Sequence, residues 1–119
     1  MVELYKTQKL QIYQLALEYV EAVYELSAQL PQREWSNLAS QIERAATSIV
    51  LNIAESSSGG SNAEQDRSLD LALRSYLETI TCLDAIELRS YLSTEDISPL
   101  REQGHGLFVR LSAFRRELR

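Results

Sequence analysis

Apolar and polar residues recur along this chain at the three- and four-residue spacing of helices, in four blocks separated by short breaks. From about residue 7 to 29 neither glycine nor proline intervenes, and Ile12, Leu15, Ala16, Tyr19, Val23 and Leu26 form one face. Leu30-Pro31 closes this block, because the residue before a proline is pushed away from helical angles. The second block runs over 33–56 with Trp35, Leu38, Ile42, Ala45, Ala46, Ile49 and Ile53 on its apolar face. It ends in Ser56-Ser57-Ser58-Gly59-Gly60, a run of turn-forming residues.

The third block, 62–91, opens on a capping box: Ser61 is placed to accept from the backbone of Glu64 while the Glu64 side chain reaches back. Leu69, Ala72, Leu73, Tyr76, Ile80 and Leu83 carry its face. The fourth block is predicted over 95–117, with Glu95 and Asp96 at the positive end of the helix dipole. Pro99 leaves open a later start capped by Ser98. Leu100, Leu107, Leu111, Phe114 and Leu118 supply its apolar side. Gly104 and Gly106 each weaken an exposed helix by about 1 kcal/mol relative to alanine, which points to close backbone approach there.

Three helices of similar length and a somewhat shorter fourth, joined by short links, are best accommodated by an all-α, antiparallel up-down-up-down four-helix bundle. At 119 residues the chain has the size of one domain and buries roughly two-thirds of its unfolded surface.

Helix one carries more apolar surface than one core requires. At 100° per residue its polar residues Gln11, Gln14, Glu18, Glu21 and Glu25 occupy an arc of only about 80°. Tyr13, Leu17, Val20 and Tyr24 are therefore surplus to one core: either helix one is simply the most enclosed helix of a monomer, or, as expected here, the chain is a homo-oligomer built on that ridge.

Helix two carries a polar stripe, Gln41, Arg44, Ser48, Asn52 and Glu55, at spacings of three, four, four and three. Arg67, Ser75 and Glu78 lie on a corresponding flank of helix three, beside Leu71 and Cys82. The stripe is expected either to fix helix register or subunit contacts, with Arg44 or Arg67 paired to Glu55 or Glu78, or to line a partner site. A buried ion pair of that kind matters because removing one partner costs about 3–5 kcal/mol.

Charge and chemistry narrow the functional classes. Twelve basic and seventeen acidic side chains give a net charge of −5, which disfavours attraction to phosphate backbones. The basic excess is terminal, at Arg110, Arg115, Arg116 and Arg119, a pattern that suits either the negative end of a helix or contact with RNA. Glu102-x-x-His105 has the spacing of di-metal bundles, but those need a second such pair and this chain has one histidine. No metal or cofactor is expected. Cys82 is the lone cysteine, so no internal disulfide forms, and a packing role is expected of it. No catalytic constellation stands out, so the expectation is a non-enzymatic interaction protein. The chain opens without a basic-then-apolar leader and has no run long enough to span a bilayer, so a soluble cytoplasmic protein is expected, with no membrane partner.

The stretch Ser40-Gln41-Ile42-Glu43-Arg44-Ala45-Ala46-Thr47-Ser48-Ile49-Val50-Leu51-Asn52-Ile53-Ala54-Glu55 closely resembles the signature helix of bacterial four-helix-bundle proteins encoded in 23S ribosomal RNA intervening sequences. The likeness extends to Leu-x-x-Tyr-Gln-x-Ala at Leu10 to Ala16, to Ser75-x-x-Glu78, and to Tyr91-Leu92. It implies a four-helix fold without an established activity. The related accessory variability determinants of diversity-generating retroelements form homopentamers that bind reverse transcriptase and RNA. The resemblance thus implies a homopentamer, and as an alternative function a retroelement accessory protein with an RNA or reverse-transcriptase partner.

Overall fold

The computed structural model describes residues 2–118, with side chains from residue 6 onward except residue 7. Four helices account for most of it: α1 (Val2–Ser27), α2 (Ser40–Glu55), α3 (Asn62–Leu88) and α4 (Thr94–Glu117). A 3-10 turn (Gln32–Glu34) and one π-helical turn (Trp35–Ala39) lead into α2. Neighbouring helices run in opposite directions. Lys9 at the start of α1 reaches Ser56 at the end of α2, whereas Ser27 at the end of α1 donates to Glu43 near the start of α2. Likewise Arg115 late in α4 meets Asp66 early in α3, and Arg101 meets Asp84 late in α3.

One continuous core joins the four helices. Ala16, Tyr19 and Val23 of α1, Ile42, Ala46 and Ile49 of α2, Leu83 and Ile86 of α3, and Ile97 and Leu111 of α4 are fully enclosed. The predicted apolar faces are thus the faces turned to the core, with Leu15, Leu38, Leu73, Ile80 and Leu118 half-buried at its margin and one exception. Trp35 is 57% exposed. It lies in the π-helical turn, whose wider winding breaks the register between it and Ile42, and its Nε1 donates to the backbone oxygen of Leu30. Helix two therefore does not begin at residue 33 as a regular helix.

At the centre of the core the Thr79 hydroxyl donates to the Tyr76 backbone oxygen at 2.6 Å. Its only proton is thereby used, so the Tyr19 hydroxyl is the donor in the 2.7 Å Tyr19–Thr79 bond between α1 and α3. Burial holds the Tyr19 phenol neutral and pushes its pKa up to about 12. Gly104 of α4 faces this cluster. A β-carbon there would stand 2.8 Å from the Tyr19 ring and 2.9 Å from the Tyr76 ring, which explains the glycine. Gly106 faces open space, so close approach accounts for only one of the two.

The helix ends show what local sequence can and cannot specify. Ser61 accepts from the Glu64 amide as predicted, but the Glu64 side chain lies over Gly60 and the box is not closed. The reciprocal capping box occurs instead at Ser93 and Asp96, which starts α4 before Pro99 and leaves Ser98 no capping role. α3 stops at Leu88 rather than Tyr91. Ser90 adopts a left-handed φ of 58°, and bonds from the Ser90 amide to Glu87 and from the Tyr91 amide to Ile86 close a Schellman turn. Tyr91 then donates to Glu34 at 2.7 Å while the Arg33 and Arg89 guanidiniums stack near its ring, tying the entry of α2 to the α3–α4 joint. This hydrogen bond holds the Glu34 carboxyl below the usual carboxylate range. Among the described residues no helix is long and apolar enough to cross a membrane.

Candidate interaction surfaces

α1 ends one turn before Pro31, and its length leaves a second apolar strip outside the core. Leu10, Leu17 and Tyr24 are 59%, 39% and 45% exposed, and Tyr13 and Val20 between them are half-buried against the core. These five positions follow at intervals of three, four, three and four, the repeat of a helix that packs along another helix. Leu10 extends the predicted ridge by one turn, and the heptad spacing is the signal that reveals it. Beside the ridge, Lys6, Lys9, Leu10 and Tyr13 of α1 and Ile53 and Ala54 of α2 line an open groove of about 640 Å³. Lys9 is partly desolvated there, which lowers its pKa, and its Nζ donates to the Ser56 backbone oxygen at 2.8 Å. Glu18, Glu21 and Glu25 stand exposed along the opposite flank of the ridge.

The polar stripe does not hold the ion pairs expected of it. Gln41, Arg44 and Glu55 on α2 and Arg67 and Glu78 on α3 are exposed, and none of the four charged residues forms an ion pair among the described residues. Within each helix the reason is distance: eleven residues separate Arg44 from Glu55, and Arg67 from Glu78, or about 16 Å of helix rise. Asn52 turns inward along its own helix and donates to the Ser48 backbone oxygen at 2.8 Å, while Gln41 donates to Asn37 at 2.7 Å. Ser75 is buried on α3. Apart from the buried Ser75 and the half-buried Ser48 and Asn52, the stripe is thus an outward face of α2 and α3, and it runs beside two exposed leucines, Leu51 and Leu71.

The C-terminal arginines do not act as a set. Arg115 is committed to Asp66 and Asp70, through contacts of 2.8, 3.2 and 3.0 Å, and this raises its pKa further. Arg110 and Arg116 are exposed, and Arg119 lies outside the described residues. Aspartates of α3 therefore neutralise part of the basic excess that the linear sequence suggests.

The groups with reactive side chains are dispersed. Cys82 is buried, with its thiol pKa raised by desolvation and then by the Glu78 charge, the opposite of an activated nucleophile. Glu102 and His105 are both exposed. Among the described residues no group of three or more histidines, cysteines or carboxylates converges in a way that would hold a metal ion.

Comparison with known proteins agrees with this architecture. A crystal structure of a protein with unknown function from the S23 ribosomal protein family of Bacteroides thetaiotaomicron VPI-5482 shares the fold, with a TM-score of 0.80 and 21% identity. The match covers 92% of this chain and 98% of that one. A search of curated proteins finds no match. The family described as 23S rRNA-intervening sequence protein matches residues 8–112, which takes in α2, α3, nearly all of α4 and the exposed ridge of α1. The chain belongs to the 23S rRNA-intervening sequence protein family.

Proposed function

We propose that the protein is a non-enzymatic, self-associating helical bundle of the cytoplasm that works by presenting helix faces to a protein partner. The observation that carries this reading is the α1 ridge. The core is closed by Ile12, Ala16, Tyr19, Val23 and Leu26, yet a second row of large apolar side chains runs the length of the same helix with Leu17 and Tyr24 open to solvent. Contiguous exposed apolar surface of this kind marks interaction sites on folded proteins. The dispersal of Cys82, His105 and the carboxylates supports a binding role over catalysis.

Sedimentation or light scattering at micromolar concentration tests the reading. A mass that is a multiple of 13.5 kDa is expected, falling to one protomer in Leu17→Asp. A wild-type mass of 13.5 kDa overturns it.

The rival reading is an RNA-binding accessory protein. It draws on Arg110 and Arg116, the two described terminal arginines that remain exposed without an ion pair. Against it stand the net charge of −5 and the engagement of Arg115 by two aspartates. Binding to a structured RNA at about 50 mM salt, lost on raising the salt, would establish it over the protein-partner reading.

A further inference from the structure

The groove between α1 and α2 has the make-up of a site for a small amphiphile. α1 begins at Val2, and Lys9 reaches Ser56 just past the end of α2, so about 10 Å of α1 runs on beyond its neighbour. In the last turn of α2 Ala54 faces outward and Ser57 follows it, so small side chains stand opposite Leu10 and Tyr13. The space between them is the groove of about 640 Å³, within the roughly 300–1,000 Å³ of small-molecule sites. Its floor is Ile53, buried in the core, and Leu10, Tyr13 and Ala54 supply apolar walls.

The charge at the rim runs against that of the whole chain. The net charge is −5, yet Lys6 and Lys9 border the groove and none of the described side chains that line it is acidic. Lys9 is already held on the Ser56 backbone oxygen and is partly desolvated, which lowers its pKa, so it contributes a positive potential rather than a new bond. Lys6 is exposed at the open side. An apolar floor under a positive rim is complementary to an apolar chain that ends in an anion. Two turns of a helix 10–12 Å across fill about 1,000 Å³, more than this groove holds, whereas a single alkyl chain lies within it.

We propose that the groove binds a medium-chain carboxylate, its alkyl chain laid over Ile53 between Ala54 and Leu10 and its carboxylate beside Lys6 in the field of Lys9. The site is formed within one subunit, so it goes beyond the self-association proposed above and does not depend on it. It shares Leu10 and Tyr13 with the ridge but not Leu17, Val20 or Tyr24, which lie further along α1.

Titration calorimetry of the full-length chain with sodium decanoate, kept below its micelle concentration, is the test. Saturable binding of one decanoate per protomer is expected, with octanoate weaker by about tenfold for the two methylenes lost. Decyltrimethylammonium, the same chain with the opposite charge, is expected to bind at least about tenfold more weakly than decanoate. Ala54→Phe fills the groove from an exposed position and is expected to weaken decanoate by more than about tenfold, and Lys6→Glu by about tenfold, with circular dichroism melts showing that both variants fold. Leu17→Asp is expected to leave decanoate binding unchanged. The absence of saturable binding to the wild type, equal binding of the two head groups, or binding that survives Ala54→Phe overturns the proposal. Binding lost in Leu17→Asp places the ligand between copies and overturns it as well. A wild type that binds decanoate while remaining one protomer supports this site and overturns the self-association reading alone.

Discussion

Arg115 of α4 grips Asp66 of α3 with both ends of its guanidinium, Nε to Oδ1 at 2.8 Å and Nη2 to Oδ2 at 3.2 Å, across 49 residues of sequence. The side chains retain 20% and 27% of their exposure, so the pair lies between a surface ion pair and a buried one. A double-mutant cycle with Arg115→Ala and Asp66→Ala is expected to return a coupling of about 1 kcal/mol in denaturant unfolding. If RNA binding is found at all, Arg115→Ala should leave it less affected than Arg110→Ala or Arg116→Ala, because Arg115 has little charge to spare for a phosphate.

Two glycines one turn-fraction apart should respond in opposite ways. Gly104→Ala forces a β-carbon into the Tyr19 and Tyr76 rings and is expected to destabilise the fold by about 1–3 kcal/mol. Gly106→Ala meets nothing and removes conformational freedom from the unfolded chain, so it is expected to stabilise by up to about 1 kcal/mol. Melting temperatures of the two variants against wild type decide the matter, and equal shifts in the same direction would contradict the packing described for Gly104.

The buried Tyr19 phenol makes stability fall at alkaline pH. Its folded pKa of about 12 lies above the unfolded value of 10.0. Below pH 10 the group is neutral in both states and contributes no pH dependence. Between about 10 and 12 the unfolded chain ionises and the folded one does not, so stability is lost as pH rises, by up to about 3 kcal/mol over that window. Tyr19→Phe should flatten this part of the profile while losing the hydrogen bond to Thr79, a combination readable from denaturant melts at pH 8 and pH 11.

At the end of α3 the serine in the left-handed position is strained for want of a glycine. Ser90→Gly is expected to raise stability by about 1 kcal/mol, since the turn bonds to Glu87 and Ile86 need only the backbone. Ser90→Val should lower it by at least as much.

The blocks of helix and their buried faces were legible in the sequence because both depend on the period of one helix taken alone. Ile42, Ile49 and Ile53 announce a face whatever lies against it, and Pro31 and the Ser56 to Gly60 run announce breaks. The family signature on α2 was equally legible, and the match over residues 8–112 agrees with it. Trp35 leaves the apolar face that the regular period predicts because the turn between it and α2 winds more widely than an α-helix. Spacing predicts a capping box at Ser61 and Glu64, whereas the box that closes pairs Ser93 with the shorter Asp96 side chain.

What the sequence by itself determined is therefore the set of four amphipathic helices, their approximate limits, and the presence of apolar surface on α1 in excess of one core. Only the tertiary structure decided which charges meet: Arg115 is taken by Asp66 and Asp70, while Arg44, Glu55, Arg67 and Glu78 are exposed and form no ion pair among the described residues. It also decided that Gly104 makes room for Tyr19 and Tyr76 and that Gly106 does not serve this purpose. The division has a physical reason. Periodicity is a property of backbone geometry repeated every 3.6 residues, but a contact between helices depends on the rotation and axial shift of each helix about its neighbour, which packing of the whole core sets.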